Sequence, residues 1–259
     1  MKYKGCKVEK SCVKIFQLAS LCAHAQTCDA QKACARKQKR MINAVIFDMD
    51  GVLIDTEKHY NAAWCEAARS AGFDFTSRHA LLLRSLDARL ASKMMKDIFG
   101  EGFDYFAIRE VRRRLVAERL AQYGLEKKPG IDALLAFLRE KGIKTAVATA
   151  TPIELTYRHL ENIGIKDKFD KIVSAKQVPN GKPAPDVYLY ACEQINETPQ
   201  DCIAVEDSPN GIKSAYAAGC RPVMVPDLTQ PDEEITPLLY GVAKTLADIQ
   251  YIVEKELIR

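Results

Sequence analysis

From residue 41 onward, short β-branched and aliphatic runs alternate with stretches of helical period. The runs predict strands at 43–48, 143–149, 170–174, 202–206 and 221–225. Between them the spacing predicts helices near 130–141, 153–163, 184–196 and 209–218, with Gly142, Gly164 and Gly219 placed to stop three of them. Strands alternating with helices in this way imply right-handed crossovers and a parallel sheet covered on both faces.

The interval between the first and second strands breaks the rhythm, because it keeps a helical period and offers no convincing strand. Glu57 to Ala71 carries Ala63, Trp64, Ala67, Ala68 and Ala71 on one stripe and stops at Gly72. Further helices are expected near 77–99 and 103–123. The fold class is therefore α/β: a Rossmann-like parallel-sheet core, residues 41–56 and 126–259, with an inserted all-α domain over 57–125. An insert tethered beside the end of the first strand can close over it.

Residues 1–40 do not follow this pattern. They hold ten Lys/Arg against Glu9 and Asp29, so the chain's net charge of +4 leaves the remainder at −4. A mildly acidic body argues against broad nucleic-acid binding, which uses a basic face. Five of the nine cysteines (Cys6, Cys12, Cys22, Cys28, Cys34) also lie in this segment, at spacings that lack the paired knuckles of a zinc site. Gln17 and Ser20 interrupt the stretch Ile15–Ala25 that would otherwise imitate a secretory signal. Cys34 and Arg40 have the Cys-x5-Arg spacing of cysteine phosphatases, but the bulky residues between them could not cradle a phosphate with backbone amides. The segment reads as an extension outside the fold, with Met41 directly before the first strand.

Hydrophobic content of 47% and charged content of 28% are those of an ordinary globular chain, and no apolar run approaches the roughly 20 residues needed to span a bilayer. Cys65, Cys192, Cys202 and Cys220 are scattered through apolar contexts, where they behave as small buried hydrophobes. A cytoplasmic protein is expected, with no membrane or nucleic-acid partner and a monomer as the simplest state.

The chemistry is concentrated at strand ends. Asp48 and Asp50 close the run Ala44-Val45-Ile46-Phe47-Asp48-Met49-Asp50-Gly51-Val52, and strand alternation lets both carboxylates address one bound group while Met49 points away. One can attack phosphorus while the other handles the proton. Ligands of open parallel sheets bind beyond the carboxyl ends of the strands. The second strand ends in Thr149-Ala150-Thr151, the fourth in Glu206-Asp207-Ser208, and Lys182 stands in Gly181-Lys182-Pro183 ahead of the helix leading to that fourth strand. Other readings of single motifs fail: a calcium loop starting at Asp48 would place His59 where a bidentate Glu belongs, and Pro183 replaces the Ser/Thr of a nucleotide P-loop.

Taken in order, Asp-x-Asp-Gly-Val, Thr149, Lys182 in Gly-Lys-Pro-x-Pro-Asp, and Glu206-Asp207-Ser208 resemble the haloacid dehalogenase superfamily over essentially all of residues 41–250. The likeness is greatest to the subfamily of sugar-phosphate phosphatases and β-phosphoglucomutase with a helical cap. It implies Asp48 as nucleophile, giving an aspartyl-phosphate, and Asp50 as general acid and base. It implies Mg²⁺ held by Asp48, the backbone carbonyl of Asp50, and Asp207 with Glu206 beside it. Lys182 and the Thr149 hydroxyl, with Ala150 alongside, would hold the phosphoryl oxygens.

Substrate choice in such proteins lies mainly in the cap. β-Phosphoglucomutase has a Gly-x-Ser-Arg loop and a histidine at the cap entry, where this chain has Arg84-Ser85-Leu86-Asp87-Ala88-Arg89 and Tyr60 beside His59. Arg84, Arg89 and Lys93 are candidate substrate contacts, and Arg112-Arg113-Arg114 reads as a solvent-facing run. Hydrolysis of a small phosphorylated metabolite, a sugar phosphate above all, is the expected activity. A phosphosugar mutase is the alternative, and a catalytically idle binding protein a more distant one.

Overall fold

Ala44–Phe47 forms β1, four apolar residues that are all buried. Their side chains alternate as a strand requires: Val45 and Phe47 enter one core cluster, Ala44 and Ile46 another on the opposite face of the sheet. A computed structural model describes residues 42–258, so the expectations for residues 1–40 lie outside the described residues.

Five further strands follow: β2 Lys144–Thr149, β3 Lys171–Ser174, β4 Cys202–Glu206, β5 Arg221–Met224 and β6 Gly241–Val242. The sheet order is β3-β2-β1-β4-β5-β6, and every pairing is parallel. β1 is thus central, with Phe47 paired to Val147 of β2 and Val205 of β4. That register brings the ends of β1, β2 and β4 to one rim. The helices are α1 Glu57–Ser70, α2 Ser77–Leu82, α3 Ala88–Phe99, α4 Tyr105–Tyr123, α5 Ile131–Glu140, α6 Ile153–Asn162, α7 Asp186–Gln194, α8 Pro209–Ala217 and α9 Leu246–Ile258. α5 and α9 bury Leu134, Leu138, Ile249 and Val253 against one sheet face, and α7 and α8 bury Val187, Ala191 and Ala215 against the other.

α1 to α4 form the insert, built on its own aromatic core of Trp64, Phe75, Phe99, Phe103 and Tyr105. Complete burial of Phe75 and Phe103 contributes about 1.5–3 kcal/mol each. One expectation fails here: residues 77–99 are two helices, not one. The chain reverses at Ser85, whose φ is +55°, and Asp87 then caps α3 by accepting from the Arg89 amide at 2.9 Å. β6 and α9 were not foreseen either; β6 is only two residues long and leaves almost no pattern. The two chain crossings between core and insert lie side by side, with Asp55 N donating to Glu126 O and Lys128 N to Leu53 O, both at 2.9 Å.

Cys192, Cys202 and Cys220 are buried free thiols within the second core cluster, in keeping with their reading as small hydrophobes. Among the described residues no helix is long and apolar enough to cross a membrane.

Candidate active site

Asp48 continues β1 by one residue, its amide donating to Val205 O of β4 at 2.9 Å. The chain then turns sharply, with Gly51 at φ +82° and Leu53 N and Ile54 N both returning to Met49 O. Glycine is required at 51 on two grounds. An L side chain resists that φ, and a Cβ there would overlap the Asp207 carboxylate. The turn therefore lets the ends of β1 and β4 approach.

Lys182 is fully buried at the centre of this rim. Its Nζ donates to Asp48 Oδ1 at 2.7 Å, Glu206 Oε1 at 2.6 Å and Ala148 O at 3.0 Å, which uses all three ammonium protons. Burial works against its charge, yet the two carboxylates outweigh burial and hold the ammonium above its ordinary pKa. Asp48 is in the reverse position. Burial, opposed by Lys182 and reinforced by Glu206, pushes its carboxyl up to about 8.

Glu206 also accepts from the Tyr188 hydroxyl at 2.6 Å, and its other oxygen from Ser208 Oγ at 3.3 Å. Both its oxygens are committed to protein donors, so this carboxylate acts on Lys182. Gly211 of α8 makes room for it, since a Cβ there would fall on the Glu206 carboxylate. Gly211→Ala is expected to cost about 1–3 kcal/mol through overpacking, read as a lowered melting temperature.

Asp207 faces differently. One of its oxygens pairs with the Arg84 guanidinium, while Oδ1 is buried without a hydrogen-bond partner. Asp48, Glu206 and Asp207 can each present one oxygen within 4.8 Å of the others. An orphaned buried carboxylate oxygen among hard oxygen donors with surplus negative charge fits a divalent cation.

Asp50 is held by two hydroxyls, Thr56 Oγ1 at 2.6 Å and Thr151 Oγ1 at 2.8 Å. The Thr149 hydroxyl accepts from Thr151 N at 3.1 Å, which leaves its own O–H to donate. Asp48, Asp50, Thr149, Ala150 and Lys182 all line one cavity of about 630 Å³ beneath the insert, large enough for a small metabolite.

The insert is seated on the core. Asp87 N donates to Lys182 O at 2.8 Å, Gly181 N to Asp87 Oδ2 at 3.2 Å, and Asn210 Nδ2 to Arg84 O at 2.9 Å. Arg84, expected as a substrate contact, is buried: its Nη1 donates to Thr229 Oγ1 at 2.7 Å, and Nε stands 3.2 Å from Glu57 Oε2 without hydrogen-bond alignment. Burial pushes the Glu57 carboxyl up to about 7 against that guanidinium. Arg89 and Lys93 do not line the cavity; Lys93 is exposed, and the Arg89 side chain is 67% exposed and binds Asp87 and Pro179 O. Arg112 corrects the solvent-facing reading, because it is buried in the cavity wall with its guanidinium 4.9 Å from the Tyr60 ring centroid and 5.1 Å from that of Trp64. Consecutive helical residues point in different directions, so one arginine of the three is buried while Arg113 and Arg114 stay exposed at the margin of the cavity.

The family model for haloacid dehalogenase-like hydrolases matches residues 42–219, a span that includes the ends of β1, β2 and β4 and Lys182. The chain belongs to that family. It is accordingly an enzyme, a hydrolase. Among its relatives is a phosphorylated carbohydrates phosphatase of Thermotoga maritima, 30% identical over 217 residues, covering 82% of this chain and 91% of that protein. Hexitol phosphatase B of Escherichia coli is also 30% identical, over 85% of this chain and 98% of its own length. The crystal structure of β-phosphoglucomutase from Clostridium difficile superposes with a TM-score of 0.69 at 25% identity, covering 85% of this chain and all of that one.

The sequence places Thr56 just beyond the Asp48 motif and Thr151 at the end of the second strand but gives neither a role, and Tyr188 is not singled out. Thr151 had a signal, since it follows Thr149 by two residues and strand alternation puts both on one face. Tyr188 had none, because a tyrosine in an apolar helix looks like core until its hydroxyl is seen against a buried carboxylate.

Proposed function

We propose that this hydrolase is a Mg²⁺-dependent phosphatase acting on a small phosphorylated metabolite, a sugar or polyol phosphate, through an aspartyl-phosphate at Asp48. The observation that carries the proposal is the salt bridge of Lys182 to both Asp48 and Glu206 at the end of the cavity. It fixes one Asp48 oxygen and leaves the other to attack. Attack on phosphorus forms the carboxylate–phosphorus bond as the bond to the substrate oxygen breaks. Asp50, oriented by Thr56 and Thr151, gives its proton to the departing alkoxide. Water then attacks the same phosphorus, Asp50 takes its proton, and inorganic phosphate leaves with Asp48 restored. Thr149 holds a phosphoryl oxygen in both steps, and Lys182, its three protons already on Asp48, Glu206 and Ala148 O, offsets the phosphoryl charge from beside Asp48. Asp48, Asp207 and the backbone carbonyl of Asp50 would hold Mg²⁺, which when bound neutralises the charge where two anions meet.

Two relatives are named for phosphatase activity on carbohydrate or hexitol phosphates, which supports this class of substrate. The test is phosphate release from a panel of hexose and hexitol monophosphates with Mg²⁺, with and without a hexose bisphosphate primer. Free phosphate is expected whether or not the primer is present. Isomerised sugar phosphate without phosphate release would make the enzyme a mutase and overturn the proposal.

A further inference from the structure

The cavity is charged unevenly. At the reacting end each buried cation has carboxylate partners: Lys182 has Asp48 and Glu206, and Arg84 has Asp207 and Glu57. On the wall formed by α4 the balance is lost. Arg112 is only 9% exposed, forms no ion pair among the described residues, and leaves its Nε without a hydrogen-bond partner. Arg109 lies one turn earlier on the same face of α4 and lines the same cavity, as does Lys176 from just beyond the end of β3. Neither forms a side-chain ion pair among the described residues. Burial, and then the Arg109 guanidinium, hold the Lys176 ammonium below its ordinary pKa, against the opposing pull of the Asp87 carboxylate.

A buried guanidinium is costly unless its charge is met. Stacking on Tyr60 and Trp64 offsets part of that cost and fixes the plane of the group, but aromatic faces accept no hydrogen bonds from its N–H edge. That edge remains available to a planar or tetrahedral oxyanion, the ligand a fixed guanidinium matches best.

We propose that Arg112, assisted by Arg109 and Lys176, binds a second anionic group at the far end of the substrate, so that the preferred substrate is a phosphomonoester carrying a further carboxylate or phosphate. This rests on the phosphatase reading and narrows it, because a hexitol monophosphate presents only hydroxyls there. A site that leaves a buried charged donor unpaired discriminates strongly against the substrate lacking its partner.

Three matched substrates separate the possibilities: a hexose 6-phosphate with a neutral far end, the corresponding hexonate 6-phosphate, and a hexose 1,6-bisphosphate. Wild-type kcat/KM for at least one of the two doubly anionic substrates should exceed that of the neutral one by about tenfold or more, mainly through KM. The arm with the larger gain tells carboxylate from phosphate. Arg112→Met should collapse the ratio toward one, and Arg112→Lys should restore part of it, which a purely packing role would not do. In case Arg112→Met fails to fold, the wild-type ratio and the lysine variant decide alone. Equal kcat/KM for all three substrates would overturn the inference while leaving the phosphatase intact. If wild type hydrolyses none of them, calorimetric binding of the same three to Asp48→Asn decides instead, with tighter binding of a doubly anionic ligand expected and equal affinities counting against it.

Discussion

Replacing Asp48 by Asn is expected to lower kcat by at least about 10³-fold, the scale seen when the member of a catalytic unit that forms the covalent bond is removed. The amide keeps the shape of the side chain and lacks the anionic oxygen that attacks phosphorus. The fold should survive. In the native rim the Asp48 and Glu206 carboxyl groups compete for the single positive charge of Lys182, and the neutral amide leaves Lys182 and Glu206 as a balanced buried pair. Melting temperature should therefore change little or rise, while phosphate release disappears. A variant that unfolds would show that Asp48 carries structure, and one that turns over at the native rate would remove it from the mechanism.

Lys182→Met should be damaging in both respects. The methionine fills similar space but leaves the buried Asp48 and Glu206 carboxyl groups facing each other without the cation between them. Breaking a buried pair by removing one partner costs about 3–5 kcal/mol. For a domain of this size that corresponds to a fall in melting temperature on the order of 10 °C. Activity should fall by about 10²-fold or more, because the positive charge that orients Asp48 and offsets the developing negative charge is removed. The double variant Lys182→Met with Glu206→Gln separates the two losses. It removes one stranded charge and keeps an acceptor for Tyr188, so stability should partly return while activity does not. Stability unchanged by Lys182→Met alone would show that the buried triad is not what holds the rim.

The core was legible because its signals are local and repeat. β1 reads from four residues, Gly142, Gly164 and Gly219 mark helix ends by their left-handed φ of +68°, +69° and +84°, and parallel pairing of β1 with β2 and β4 follows from the alternation of elements. The same alternation brought Asp48, Thr149, Lys182, Glu206 and Asp207 to one rim from positions far apart in the chain. What stayed hidden depends on contacts between elements that no local pattern encodes. Arg84 gave no sign that it would be buried on Asp207 and Glu57, because that pairing is set by how the insert seats on the core. Arg112 looked like one of three solvated arginines, and only the packing of α4 against α1, with Tyr60 and Trp64 beneath it, distinguishes it from Arg113. Glu206 was legible as an acid but not in its direction, which the absence of a side chain at Gly211 decides.

The covalent intermediate on Asp48 is open to direct trapping. Enzyme mixed with substrate and Mg²⁺ is quenched in acid within a turnover and reduced with borohydride, which converts an aspartyl-phosphate to homoserine. Mass spectrometry of the peptide spanning residue 48 should show homoserine at that position in wild type and none in Asp48→Asn. Phosphate release with an unmodified Asp48, or reduction at a different carboxylate, would contradict the mechanism at its first step.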